Sequence, residues 1–359
     1  MTDLKVTTWN IEHFARLLSD PSPEVQRRKQ AIVDEITQID PDILCIVEGP
    51  GDLTLLQAFV DDPNGLNGRY QIPVIPGTAN LLNPAPANPR DALSDLYQMQ
   101  GTDRTGNQWI WFLVKDQVFQ NASQAFLQNP IVWDQFVGHT TWPVHLWGDM
   151  STRNHRHWRH PQVLVLEFEG ARAEFIGVHL KSKINRRAPF DANGALRLDY
   201  VQEAIKARIK LATEAENVRN YIDARFQQEP APRIFVLGDA NDGPGKRFFE
   251  CQYLFFDLLS GLQGGVFFAR QFLNHCLFDF DDQLRWSTDF RDPIEPDQRL
   301  QLIDHILFTQ SLVNDSQFPR VEANAGLVEH TIHETVNALL VGPDTSDHRP
   351  VSVMVRWSL

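Results

Sequence analysis

Eight polar residues stand where short apolar runs stop: Asn10, Glu48, His179, Asp239, Asn241, Asp304, Asp347 and His348. Strands held in a sheet gather such ends at one rim, where a rigid scaffold displays catalytic groups on accessible tips. The set contains carboxylates, amides and two histidines. No obvious Ser or Cys nucleophile accompanies it, and neither a GxGxxG dinucleotide loop nor a GxxxxGK[ST] phosphate loop occurs. Oxygen-rich donors of this kind suit a hard divalent cation, Mg²⁺ above all with Mn²⁺ as a substitute. Such an ion binds through one or two carboxylates and keeps waters for exchange with substrate.

The elements that must position these residues follow from apolar periodicity. Residues 5–9 alternate as a strand, and residues 24–39 place Val25, Ala31, Ile32, Glu35 and Ile36 near a 3.6 spacing that Asp40-Pro41 closes. Residues 42–48 form an apolar run bounded by turn signals, as expected of a strand buried on both faces, and the run ends on Glu48. Residues 64–89, heavy in Pro, Asn and Gly, read as loops around one strand near 70–75. Further strands are expected at 109–114, 163–168, 174–178, 234–237, 302–308 and 351–357, and a long helix at 195–226. Residues 246–299 mix Phe-rich runs with Asp/Arg-rich loops and yield no assignment by period.

Composition bounds the class. The 359 residues carry 33 Lys+Arg and 46 Asp+Glu, a net charge of −13, with 42% hydrophobic and 22% charged residues. That excludes disorder and collagen-like chains and weighs against broad electrostatic capture of nucleic acid, although a local basic groove can coexist with a negative whole. Cys45, Cys251 and Cys276 are an odd number at wide spacing, which fits reduced thiols rather than a disulfide framework. With no run long enough to span a bilayer and no secretory start, a cytoplasmic chain is expected. No repeat or linker cuts it, so residues 1–359 are expected to form a single domain.

Five ordered stretches then carry a resemblance: Thr8-Trp9-Asn10, Ile46-Val47-Glu48, residues 178–182 (VHLKS), Gly238-Asp239-Ala240-Asn241 and residues 346–351 (SDHRPV). Together they resemble the motifs of the endonuclease/exonuclease/phosphatase superfamily. The resemblance implies a four-layered α/β sandwich, two central mixed β-sheets packed face to face with helices outside. It also implies metal-dependent cleavage of phosphoester bonds. By the same resemblance Asn10, Glu48 and Asp347 are metal-site residues, with Glu12 a weaker companion. Asp239 orients or deprotonates the attacking water, Asn241 hydrogen-bonds the phosphate, His348 contacts it, and Asp304 orients His348. His179 resembles the candidate acid for the leaving oxygen. The position that supports that histidine in deoxyribonucleases holds Asn107 and Gln108 here rather than a carboxylate. Arg159 and Lys181 resemble phosphate contacts, and His305 stands where relatives often carry an aromatic residue, which points to a structural role.

The cations Arg153, Arg156, Arg159, Lys181, Lys183, Arg186 and Arg187 could line a groove for a nucleic-acid backbone, which makes nucleic acid the expected substrate. A small phosphoester or a phospholipid headgroup is the alternative, and a catalytically inactive binding module is a third reading that the intact motif residues oppose. The run His155, His157, His160 fits no standard zinc spacing and reads as a basic loop; His330 and His333 are equally short of companion ligands.

Overall fold

Period-two alternation decides which way each strand residue faces, and here it produces two sheets that share a core. The computed structural model describes residues 2–76, 108–139, 141–146, 151–245, 247–254, 257–313 and 317–357. Its strands begin with β1 (Thr2–Asn10), β2 (Ile43–Gly49), β3 (Tyr70–Gln71), β4 (Trp109–Lys115), β5 (Gln124–Leu127), β6 (Trp142–His145), β7 (Thr152–His155) and β8 (Gln162–Phe168). They continue as β9 (Ala171–His179), β10 (Ile234–Asp239), β11 (Leu273–His275), β12 (Thr288–Asp289), β13 (Leu300–Gln301), β14 (Asp304–Thr309), β15 (Arg320–Val328) and β16 (Val351–Trp357). One six-stranded sheet runs β15-β16-β1-β2-β4-β3 and the other β11-β14-β10-β9-β8-β5. Each is mixed, with one parallel pair at its centre, β1 with β2 and β9 with β10.

Leu164, Leu166, Phe175, Phe235 and Leu237 of the second sheet pack in one cluster with Val6, Cys45, Phe112 and Val353 of the first. The alternate residues Val163, Val165, Ile176, Val178 and Val236 turn outward onto Leu211, Ala215, Val218 and Ile222 of the helix Leu198–Gln228. The helices Pro23–Ile39 and Leu53–Asp61 cover the other flank, contributing Ile32, Ile36, Leu56 and Phe59. This is the four-layered sandwich. The approach of the two sheets is close enough to dictate a residue type: a Cβ at Gly177 would lie 2.7 Å from Ile110 Cγ2 and 3.1 Å from both Cys45 Sγ and Phe112 Cζ. Burial pushes the Cys45 thiol up to about 12, so it stays protonated and inert in the core.

Most expected elements are present with shifted ends. The first long helix is Pro23–Ile39, with Pro at its start, and the second is Leu198–Gln228 rather than 195–226. The expected strand at 70–75 pairs only over Tyr70–Gln71, and the expected loop beyond 76 lies outside the described residues. The strand expected at 302–308 begins at Asp304, because Leu302 and Ile303 form the short link from β13 (Leu300–Gln301) into it. Strand β15, for which no expectation existed, hides its alternation behind a register shift between Val321 and Gly326. Among the described residues no helix is long and apolar enough to cross a membrane.

Candidate functional site

Topology delivers the polar strand ends to one rim. Asn10, the last residue of β1, pairs in parallel with Val47, so Glu48 lies one residue beyond that partner. A register shift in the β2–β4 pairing between Ile46 and Gly49 accompanies a positive φ of 62° at Glu48, a bulge that re-aims its side chain. In the second sheet Asp239 pairs in parallel with His179, and Asp304 enters antiparallel directly opposite Asp239. Strand β16 runs antiparallel to β1 with Val351 opposite Thr8, which brings His348 beside Asn10. Gly238, at φ 137°, lets the chain pass the Val178 carbonyl, where a Cβ would come within 2.0 Å of the oxygen.

The side chains close a network across both sheets. Asn10 Nδ2 donates to Asp239 Oδ2 at 3.0 Å and lies 3.4 Å from His348 Nε2. His348 Nδ1 is 2.7 Å from Asp304 Oδ2, and His179 Nε2 is 3.6 Å from Asp239 Oδ2. The Asn241 backbone N–H donates to Asp239 Oδ1 at 2.7 Å, and its side-chain amide donates to the Leu180 carbonyl at 3.0 Å. Backbone anchors hold the frame: Trp9 Nε1 donates to the His348 carbonyl, Ser346 Oγ to the Asn10 carbonyl, and Ser287 Oγ accepts the Asp304 N–H. Asn10, His179, Asp239, Asp304 and His348 are all buried.

Burial sets the charges. It pushes the Asp239 carboxyl well above the usual carboxylate range, and the charge of Asp304 adds to the effect. Burial pulls His348 down, but Asp304, Asp239 and Asp347 outweigh it and hold the imidazole protonated well above its ordinary value. His179 is driven the other way, by burial first and then by the positive charge of Arg159 and of His348, so it is neutral. The backbone of Gln108 acts weakly against that shift, standing where a supporting carboxylate was absent from the sequence; Asn107 lies outside the described residues.

The donor set beside this network fits a hard cation. Asn10 Oδ1 is buried without a hydrogen-bond partner. Asp347, half-exposed, has its carboxyl raised by burial and then, against the pull of His348, by the negative charges of Glu12 and Glu48. Glu48 Oε2 accepts the His13 N–H at 3.0 Å. An orphaned amide oxygen among carboxylates that repel one another is the arrangement a divalent ion would neutralise. Donor atoms of Asp239, Asp304 and His348 also fall within 4.8 Å of one another, a grouping dense enough for an ion. There, however, His348 Nδ1 and Asp304 Oδ2 already bond to each other.

Two candidates sit differently from the rest. Arg159 is buried behind the cluster, with Nη1 donating to the His179 and Leu180 carbonyls at 3.2 and 3.1 Å and Nη2 to Gln108 Oε1 at 3.0 Å. The guanidinium thus braces the strand end. Lys181 Nζ donates to the Ser182 carbonyl at 2.8 Å, and its backbone N–H donates to Glu214 on the long helix. His305 is structural: its Nδ1 is 2.8 Å from His275 Nε2 and its Nε2 is 2.7 Å from the Asp242 carbonyl. His333 pairs with Glu35 and His330 with the Leu284 carbonyl, and neither joins a metal group. Ser287 and Phe290, whose ring centroid lies 5.6 Å from that of His348, carried no signal in the sequence. One residue beyond Asn241 and one before Asp304, Asp242 and Ile303 help to wall a cleft of about 720 Å³ together with Lys183, Arg247, Asp289 and Arg299 among others.

No protein-family model and no curated protein matches the chain. Solved structures do. Truncated TDP2 of Caenorhabditis elegans is similar at 14% identity and a TM-score of 0.50, covering 99% of this chain and 98% of that one. TDP2 of D. rerio complexed with single strand DNA product follows at 12% identity and a TM-score of 0.48, with coverage of 99% and 100%. An endonuclease/exonuclease/phosphatase from Bacteroides vulgatus has 12% identity, a TM-score of 0.45 and 100% coverage of both chains. At such identities the likeness is one of fold alone, shared along nearly the whole length with truncated TDP2.

Proposed function

We propose that this chain, one domain of the endonuclease/exonuclease/phosphatase fold over residues 1–359, is a divalent-metal-dependent phosphodiester hydrolase and, within that class, a nuclease. The observation that carries the reading is the buried Asn10, Asp239, His348 and Asp304 network beside an unpartnered Asn10 Oδ1. The network leaves Asn10 Oδ1 and Asp304 Oδ1 without partners, and the first of these stands beside Glu48 and Asp347, where a bound cation would satisfy it.

The residues divide the work by charge. Asp239, with its carboxyl raised toward neutrality and both oxygens oriented by Asn10 and Asn241, is placed to take a proton from an attacking water. His348, kept cationic by Asp304, supplies fixed positive charge to the phosphate as negative charge builds on its oxygens. Neutral His179 lies 3.6 Å from Asp239 Oδ2, beyond hydrogen-bond reach, and its depressed pKa makes it a poor reservoir for a proton to the leaving oxygen. Asn10, Glu48 and Asp347 would hold Mg²⁺, with Mn²⁺ as a substitute, and the ion would polarise the phosphoryl oxygen and stabilise the departing alkoxide.

Nucleic acid is favoured as substrate by the exposed cations Arg156, Arg186 and Arg187 on the two segments that flank His179. The test is cleavage of duplex DNA, single-stranded DNA, RNA, a generic phosphodiester, a phosphomonoester and sphingomyelin, with Mg²⁺, with Mn²⁺ and with a chelator. Metal-dependent cleavage of a nucleic acid is the expected result. Turnover of the small ester or the lipid alone would replace the nuclease reading with that of a small-phosphoester or headgroup hydrolase.

A further inference from the structure

Residues 155–159 alternate between pinned and displayed side chains. His155 Nε2 lies 2.9 Å from Glu214 Oε1 and His157 Nε2 lies 3.0 Å from Asn217 Oδ1, both partners being on the helix Leu198–Gln228. Arg159 is held by the His179 and Leu180 carbonyls. The intervening Arg156 and Trp158 face solvent, and Trp158 is 71% exposed. The loop after His179 is tied to the same carboxylate, since the Lys181 N–H donates to Glu214 Oε2 at 2.8 Å. Glu214 therefore sets the two segments side by side, and the second displays Ile184, 77% exposed, and Arg186.

The charges on this surface are unspent. Among the described residues no carboxylate pairs with Arg156 or Arg186, whereas Lys183 pairs with Asp242, and Arg187 with Asp199 and Glu203. A large aromatic ring left in water forgoes the gain of burial. Fixing it at the edge of a segment anchored at three alternate positions removes the ordering cost from any later contact.

We propose that Arg156, Trp158, Ile184 and Arg186 form a platform beside the catalytic rim that binds single-stranded nucleic acid, with Trp158 stacking on an unpaired base and the two guanidiniums contacting phosphates. The proposal rests on the hydrolase reading for its place next to the site and deepens it by naming the bound class. An exposed indole offers a face to any base, but a duplex keeps its bases stacked on one another, so only a single strand can use it. A chain of net charge −13 repels a polyanion except where cations stand unpaired, as they do here. A bilayer would call for a continuous apolar tip, and here guanidiniums interrupt the apolar side chains.

The test is fluorescence anisotropy of the full chain in chelator, with labelled single-stranded DNA and RNA of about 12 nucleotides, the matching duplex, and phosphatidylserine-containing vesicles. Single strands are expected to bind more tightly than the duplex. Trp158→Ala should weaken single-strand binding by about tenfold, within the roughly 5- to 150-fold range of one base–aromatic stack, while Trp158→Phe retains most of it. Arg186→Ala should lower the slope of log affinity against log salt by about 0.7. Thermal melting that matches the wild type shows the variants folded. Unchanged single-strand binding in Trp158→Ala, or binding to vesicles in place of oligonucleotides, overturns the platform. Because binding is read without metal, absence of cleavage would refute the hydrolase reading alone, and cleavage with unaltered binding in Trp158→Ala would refute the platform alone.

Discussion

Replacing Asn10 with alanine separates the chemistry of the site from its stability. The side chain spends one N–H on Asp239 Oδ2 at 3.0 Å, and a hydrogen bond to a charged group contributes about 1.5–3 kcal/mol. Its approach to His348 Nε2 at 3.4 Å is long and adds little. Against that loss stands a relief, because Asn10 Oδ1 is buried without a partner and such an atom costs about 1–3 kcal/mol of desolvation. The two nearly cancel, so Asn10→Ala in chelator should change the unfolding free energy by no more than about 2 kcal/mol. Turnover should fall by roughly 100-fold, the cost of a misplacement of about 1 Å, since Asp239 keeps only the Asn241 N–H to orient it. Asn10→Asp sharpens the contrast. It sets a second carboxylate about 3 Å from Asp239, a repulsion of roughly 5–6 kcal/mol at an effective dielectric of 20 before proton uptake relieves part of it. That variant should be less stable than Asn10→Ala in chelator and should regain stability on addition of Mg²⁺. Urea unfolding with and without Mg²⁺, combined with initial rates of cleavage, reads both effects. Wild-type turnover in Asn10→Ala, or an Asn10→Asp protein indifferent to Mg²⁺, would refute the reasoning.

Three further outcomes are expected. Gly177→Ala drives a Cβ to 2.7 Å from Ile110 Cγ2 in the inter-sheet core and should cost about 1–3 kcal/mol in urea unfolding; a variant as stable as the wild type would mean that the sheets slide apart without penalty. His275 is half-buried and His305 buried, and desolvation first holds both pKa values below the ordinary 6.5, so the unfolded chain binds more protons than the folded one. Their contribution is therefore full above pH 6.5 and falls as the pH drops below it, by at most about 1.4 kcal/mol per pH unit for each histidine. Urea melts below pH 6.5 should show stability falling less steeply with acidification in His305→Phe than in the wild type; equal slopes would contradict it. Arg159→Lys cannot reproduce the planar fork that serves the His179 and Leu180 carbonyls and Gln108, so both melting temperature and turnover should drop, and wild-type values for both would remove the brace from the account.

What could be read from the sequence was local. Apolar runs that stop on Asn10, Glu48, His179 and Asp239 mark central strands, because strands buried on both faces must be apolar up to the rim. The sandwich followed from the order of motifs along the chain. Contacts between distant segments were beyond reach: nothing near Asn10 in sequence shows that its amide bridges to Asp239, 229 positions away. Arg159 illustrates the same limit, since an Arg-x-Pro element reads as a phosphate contact or a surface cation, whereas the carbonyls of His179 and Leu180 make it a buried backbone brace. The alternation of residues 155–159 was visible as letters but not as geometry. Its inward partners, Glu214 and Asn217, lie 59 and 60 positions away on a helix whose apolar stripe says nothing of its polar contacts. Ser287 is a lone hydroxyl in a span without periodicity, and its hold on the Asp304 backbone depends on a tertiary turn.

The central claim is that a metal-assisted, Asp239-activated water attacks a phosphodiester at this rim. It is tested most directly by initial cleavage rates of wild type, Asp239→Asn and His348→Ala, each with Mg²⁺ and with chelator, alongside their melting curves. The account predicts cleavage that chelator abolishes and Mg²⁺ restores, and a fall of at least about 100-fold in both variants, which nevertheless melt cooperatively as folded proteins. Cleavage at the wild-type rate in both variants, or a rate indifferent to the metal, would contradict it.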